Sequence, residues 1–272
     1  MNEVDAQVLE ALEAARASVG DEDQLFAFYR RLLQAIAGKK KHIELLPELL
    51  LRSEETILLV RAGKPYLSFA TLQLDSTDFH AWLMEIARLF ESNDPGVMAE
   101  IEEITPAQSM VLAREWFVEG GTGRGSTVDT ILANALAPYL EAAAETLLPL
   151  LPLHNWHRHY CPVCGGLPDF GLWSEEQMTT LLCERCRATW QAPVVGCLFC
   201  GETDPGRRGI YASEDNVYVV EVCDTCGNYV KGMNREALEP GTHPLLPAER
   251  LLTPGLDLTA IQEGYRRPAA VR

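Results

Sequence analysis

All eight cysteines of the chain stand in Cys-x-x-Cys pairs: Cys161 and Cys164, Cys183 and Cys186, Cys197 and Cys200, Cys223 and Cys226. Two thiolates at this spacing can grip one metal ion from a single turn while backbone N–H groups of the turn point at the sulfurs. Four sulfurs around one ion suit Zn(II) and mononuclear iron alike. Such a site has no open position for a metal-bound water, which argues against hydrolysis there. Gly165, Gly201 and Gly227 follow three of the pairs and supply the freedom the turn needs, whereas Cys186 is followed by Arg187, so that knuckle must turn without glycine. Dithiol–disulfide chemistry is the weaker reading, because a reactive Cys-x-x-Cys usually opens a helix in a βαβ context and none is readable here. A structural role and a redox or metal-delivery role both remain open.

The segments between the pairs indicate which pairs share an ion. Asp169-Phe-Gly-Leu-Trp173, a polar turn at Ser174-Glu-Glu-Gln177 and Met178-Thr-Thr-Leu-Leu182 separate the first two pairs. Gly209-Ile-Tyr-Ala-Ser213, a turn at Glu214-Asp-Asn216 and Val217-Tyr-Val-Val-Glu-Val222 separate the last two. Both read as strand, turn, strand. Knuckle, hairpin, knuckle, written twice, predicts two rubredoxin-like or zinc-ribbon modules, first pair with second and third with fourth. A cross-braced arrangement, first with third and second with fourth, is the competing topology. Each module is too short to fold on apolar burial alone, so a bound metal would supply folding free energy directly.

The rest of the chain must carry and position these modules. Its 272 residues, 47% apolar, are enough for one large or two moderate globular domains. Residues 1–155 read as mainly helical. Val4, Val8, Leu12 and Ala15 mark one apolar face of a helix ending near Gly20; a second helix covers 22–37 with Gly38 as its stop, and another covers 78–90. Thr105-Pro-Ala-Gln108 is a capping box opening a helix through Val111, Leu112, Trp116 and Phe117. Ser126 opens a further one, with Pro138 as a bend. Residues 57–74 read as the extended exception. The chain is thus expected to be a multidomain α plus small β protein: a helical domain 1–155, four-cysteine modules 156–192 and 193–235, and a partly helical tail 236–272.

The net charge of −16 repels phosphate backbones and acidic lipid surfaces, so nucleic acid is not an expected partner. The acidic start lacks the basic residues and apolar run of an export signal, and residues 131–153 carry Glu141, Glu145 and three prolines, unlike a membrane span. A cytoplasmic protein is expected. Gly120-Gly-Thr-Gly-Arg-Gly-Ser126 lacks phosphate-loop spacing and reads as a mobile linker rather than an anion cradle. Lys39-Lys-Lys-His42 reads as a solvated loop or helix end. His154, His157 and His159 are expected to pack at a domain junction, because eight cysteines already complete two sites. No catalytic triad, paired carboxylates or nucleotide fingerprint stands out, so the chain reads as a binding protein and not an enzyme.

The cysteine half carries a resemblance. Cys161-Pro-Val-Cys-Gly-Gly-Leu-Pro168, Leu182-Cys-Glu-Arg-Cys186 followed by Trp190, Cys197-Leu-Phe-Cys200, Cys223-Asp-Thr-Cys-Gly-Asn-Tyr-Val-Lys231, Leu256-Asp-Leu258 and Gln262-Glu-Gly-Tyr-Arg266 together resemble the formate dehydrogenase accessory protein family, FdhE. The match is dense over about residues 155 to 267. The resemblance implies a cytoplasmic factor that binds the catalytic subunit of respiratory formate dehydrogenase during maturation, before export. It also implies two mononuclear metal ions, one in each four-cysteine site, with iron favoured over zinc. The ligands it implies are Cys161, Cys164, Cys183, Cys186, Cys197, Cys200, Cys223 and Cys226. The alternative function is an electron carrier or redox factor acting on that enzyme. A homodimer is compatible with this reading, and residues 120–126 and 223–231 are the expected client surface.

Overall fold

The computed structural model describes residues 3–19, 24–43, 53–91, 96–174 and 178–268. Its helices, in chain order, are α1 (Glu3–Val19), α2 (Gln24–Lys40), α3 (Ser53–Arg61), α4 (Ser76–Phe90), α5 (Val97–Glu102), α6 (Pro106–Glu119), α7 (Ser126–Leu147), α8 (Leu246–Leu252) and α9 (Pro254–Gln262). The strands are β1 (Pro168–Trp173), β2 (Met178–Cys183), β3 (Thr189–Pro193), β4 (Arg208–Ala212), β5 (Tyr218–Cys223) and β6 (Asn228–Asn234). The chain divides into two compact units. One comprises residues 1–50, 67–149 and 269–272, and the other residues 51–66 and 150–268.

The first unit is helical. Val8 and Leu12 of α1 are buried as their spacing predicts, while Val4 stays exposed at the helix start. Phe79, Leu83 and Ile86 of α4 are fully buried, and the Trp82 indole donates to the Ala135 carbonyl of α7 at 2.9 Å. At the start of α6 the expected capping box is present in full, with Thr105 and Gln108 satisfying each other's backbone N–H. Helix α7 continues through Pro138 to Leu147. The prolyl nitrogen forgoes one intrahelical bond there without ending the helix, whose surroundings are apolar nearly all round.

Three expectations are corrected in this unit or beside it. Gly38 is no stop, because α2 continues to Lys40. The basic run is no simple solvated end: Lys40 is buried, with its ammonium 2.8 Å from Asp5, 3.2 Å from Glu141 and 2.7 Å from Glu145. These partners, on α1 and α7, give the chain a reason to carry α2 past the glycine. Lys39 meets both oxygens of Asp78, at 3.0 and 2.8 Å. Residues 57–74 are not extended but form most of α3, a turn and a 3-10 helix at Phe69–Leu72. The apolar residues flanking Arg61-Ala-Gly-Lys-Pro65 are shared between a helix ending at Arg61 and a second short helical turn, a reading that a short apolar run cannot distinguish from a strand. Gly20 and Glu22 lie outside the described residues.

Residues 120–126 form a short irregular connection carrying local hydrogen bonds. Gly120 (φ 81) caps α6, and the Asp129 carboxylate accepts from the Thr122 N–H at 2.9 Å and its hydroxyl at 2.7 Å. A carboxylate therefore takes the Thr122 donors that an anion would need, which argues against the cradle reading, and the segment connects α6 to α7.

The second unit is built on one six-stranded sheet, in the order β3-β2-β1-β6-β5-β4. Each half is an antiparallel meander of three strands, and the halves join through the parallel pair β1 and β6. The two modules therefore share a sheet. At the seam Gly171 pairs with Gly232, and the Trp173 ring lies so close that a Cβ on Gly232 would fall 1.7 Å from it. Phe170, Leu172, Leu182 and Met233 form the core of the seam with Leu246 of α8. Val220, Val222 and Tyr229 pack with Ala260 of α9. Among the described residues, no helix is long and apolar enough to cross a membrane.

Candidate metal centre

Each four-cysteine set is assembled by its meander. The Cys161 knuckle leads into β1, and β1 pairs with β2, whose last residue is Cys183; Pro168 stands opposite Cys183. The hairpin thus brings the first and second knuckles together, and the second knuckle is the turn into β3. The second half repeats this plan. Arg208 stands opposite Cys223, the last residue of β5, and the fourth knuckle is the turn into β6, with Cys223 opposite Asn228. The two returning hairpins were legible. The third strand of each meander was missed, although Trp190 and Ala192 buried around exposed Gln191 is an alternation that could have revealed β3.

The sulfurs group as the hairpins predict, first pair with second and third pair with fourth. Within each group the four sulfurs all lie within 4.8 Å of one another, and these are the metal-capable groups found among the described residues. In the first, Cys161 to Cys186, Cys164 to Cys183 and Cys164 to Cys186 are each 3.5 Å apart. In the second, Cys197 to Cys226 is 3.8 Å and Cys200 to Cys223 is 3.7 Å. A tetrahedron of sulfurs about 2.3 Å from a central zinc has edges of about 3.8 Å, so the second group has the dimensions of an occupied site and the first is a few tenths tighter. Both donor sets could bind a metal ion.

Backbone donors supply the outer shell. Gly166 N–H points at Cys164 Sγ, Arg185 N–H at Cys183 Sγ and Phe199 N–H at Cys197 Sγ, each at 3.4 Å. Gly165, Gly201 and Gly227 adopt φ of 75, 74 and 68°, and Arg187 takes the same left-handed conformation at 55°. The knuckle without glycine therefore turns in the same way, with a side chain carrying the strain.

Four thiols this close cannot all ionise without a cation. Burial pushes the Cys161 and Cys186 thiols well up, while hydrogen bonds from the neighbouring thiols hold Cys164 well down. In the second group burial pushes Cys197 up to about 12. A metal entering either group must displace protons, so its affinity falls in acid.

The groups differ in exposure. All four cysteines of the first are buried; in the second Cys200 is exposed and Cys226 half-buried. Segments that the cysteine spacing gave no hint of account for part of the difference. Upstream residues reach the first knuckle: Tyr66 N–H donates to the Pro162 carbonyl at 2.9 Å, and the Tyr160 hydroxyl donates to the Gly63 carbonyl at 2.6 Å. At the fourth knuckle the tail returns, with the Tyr265 hydroxyl donating to Asp224 at 2.7 Å and Arg266 N–H donating to the Gly227 carbonyl at 2.9 Å.

Lys231 is 1% exposed, and its ammonium donates to the carbonyls of Arg250 (2.8 Å) and Thr253 (3.0 Å) and to Asp257. Along 223–231, Asp224 and Thr225 are exposed, Cys226, Gly227 and Asn228 half-buried, and Tyr229 and Val230 buried with Lys231. The histidines stay outside both groups. His159 places its ring nitrogens 3.2 Å from the carbonyls of Leu198 and Pro193. His154 and His157 line an open cleft of about 490 Å³ with Trp156, Met178 and Trp190.

A sheet carrying two complete four-sulfur groups able to hold a metal ion, in a chain that also has a helical unit, defines a protein with two zinc-ribbon-like modules. No family model matches the chain. It is 27% identical over 215 residues to the FdhE proteins of Escherichia coli O127:H6 and Escherichia fergusonii, covering 75% of this chain and 68% of each relative. The crystal structure of FdhE from Pseudomonas aeruginosa has the same fold, with a TM-score of 0.64 at 19% identity over 98% of this chain and 94% of that one. The chain is FdhE-like in sequence and in fold, which bears out the resemblance carried by its cysteine half.

Proposed function

We propose that this protein is an accessory factor for formate dehydrogenase, binding the catalytic subunit in the cytoplasm during maturation and before export. The observation that carries the reading is the pair of complete four-sulfur groups on the sheet of an FdhE-like fold. The eight cysteines hold two mononuclear ions, iron or zinc. The metals tie hairpin to knuckle and so stabilise the surface offered to the client. This chain's own residues set that surface: N–H groups orient the sulfurs, and the tail braces the fourth knuckle.

Affinity capture of the tagged protein from its native cytoplasm tests the reading, with a Cys223→Ser/Cys226→Ser variant as control and metal content measured on both. Recovery of a formate dehydrogenase catalytic subunit by the wild type alone supports it. A folded wild type with two metals that recovers no such subunit overturns it. The exposure of Cys200 favours a second reading, an electron carrier, because electron transfer requires an approachable site. That reading requires iron that cycles reversibly, and a protein isolated with zinc alone excludes it.

A further inference from the structure

We propose that the two four-cysteine sites differ in metal lability: the first holds its ion closed, while the second exchanges its ion with an incoming thiolate or chelating ligand through the Cys200 arm. The inference rests on the proposed occupancy of both sites. Ligand exchange at a four-coordinate ion begins when a new donor reaches the metal, so access to the sulfurs controls the rate.

At the first site all four cysteines are buried, and both glycines of the first knuckle are covered. A Cβ on Gly165 would fall 2.9 Å from Pro65, and one on Gly166 would fall 2.8 Å from Arg185. Hydrogen bonds from Tyr66 to Pro162 and from Tyr160 to Gly63 keep that covering segment in place. At the second site a Cβ on Gly201 or Gly227 would meet nothing within 4 Å, and Cys200 is exposed.

The knuckles of the second site are also held unequally. The fourth is braced by Tyr265 on Asp224 and by Thr225 on Glu202, each at 2.7 Å. Cys197 is seated deeper, its N–H donating to the Glu202 carbonyl at 2.8 Å. Cys200 is the arm left at the surface. In the exchange step a bond forms between the incoming donor and the metal as the bond from Cys200 Sγ breaks; the released thiolate takes a proton from water, and no electron moves.

The experiment uses the full chain loaded with two equivalents of zinc and mixed with excess EDTA, following release with a chromogenic zinc indicator. The expected course is two phases of one equivalent each, their rates separated by about ten- to hundredfold, the range over which outer-shell contacts tune metal affinity. Amide spectra of the half-stripped protein should shift at Gly201 and Gly227 and keep the Gly165 signal. Release of both equivalents in one phase, or loss at Gly165 first, overturns the inference while leaving two-metal occupancy intact. A folded chain that takes up no zinc overturns the inference and the occupancy together.

Discussion

Arg187 holds a left-handed φ of 55° at the one knuckle that lacks a glycine. That conformation costs an L-residue about 1 kcal/mol or more. Arg187→Gly should leave the metal content unchanged and raise the thermal midpoint, with a gain of up to about 1 kcal/mol because glycine also loses more freedom on folding. A fall in midpoint would show that contacts of the arginine outweigh its strain. Gly196 is the opposite case. It has φ 96°, and a Cβ there would fall 2.5 Å from the Glu202 carbonyl, which accepts from Cys197 N–H. Gly196→Ala should cost one equivalent of bound metal, from the second site, and leave the other in place; elemental analysis against protein concentration reads this directly. Backbone closeness of this kind decides the outcome more than residue size does.

Elements meet at two places where one side chain settles the packing. At the β1 and β6 seam, Gly232→Ala puts a methyl 1.7 Å from Trp173 and 2.1 Å from the Gly171 carbonyl. The expected cost is about 3 kcal/mol or more, read as a lower denaturant midpoint for the sheet unit. In the helical unit, Lys40 joins α2 to α1 and α7. Burial alone would lower its pKa, but Glu141, Asp5 and Glu145 outweigh that and hold the ammonium above its ordinary 10.5. Lys40→Met leaves buried carboxylates without their cation and should cost about 3–5 kcal/mol in urea unfolding. The sign of the pH dependence follows from the raised value. The Lys40 contribution is complete below pH 10.5 and is lost as pH rises through the higher folded value. Stability that begins to fall with Lys40 at neutral pH would contradict this arrangement.

Across the whole molecule, two compact units differ in what stabilises them. The helical unit has an extensive apolar core, whereas the sheet unit gathers its chain around eight cysteines, seven of them buried or half-buried and one, Cys200 of the second group, exposed. Stripping both metals should therefore unfold the sheet unit and spare the helical one. Far-ultraviolet circular dichroism should keep most of its helical signal, while the emission of Trp156, Trp173 and Trp190 shifts toward the solvent value. Loss of both signals in a single transition would show that the units do not fold independently.

Features that depend on short stretches of chain are legible in the order of the residues. The hairpins between cysteine pairs chose which pairs come together, glycine marked three knuckles, and Thr105 with Gln108 marked the start of α6, since turns and caps depend on neighbours a few residues away. Residues 57–74 and Gly38 were misread because local apolar runs and a lone glycine are ambiguous until a partner such as Asp5 or Glu141 is placed beside them. The shared sheet with its Gly171 and Gly232 seam, the covering of the first knuckle by residues 63–66 and the exposure of Cys200 emerge only in the folded chain. Parallel pairing and burial are contacts between residues far apart in the chain, and no spacing within a single segment encodes them.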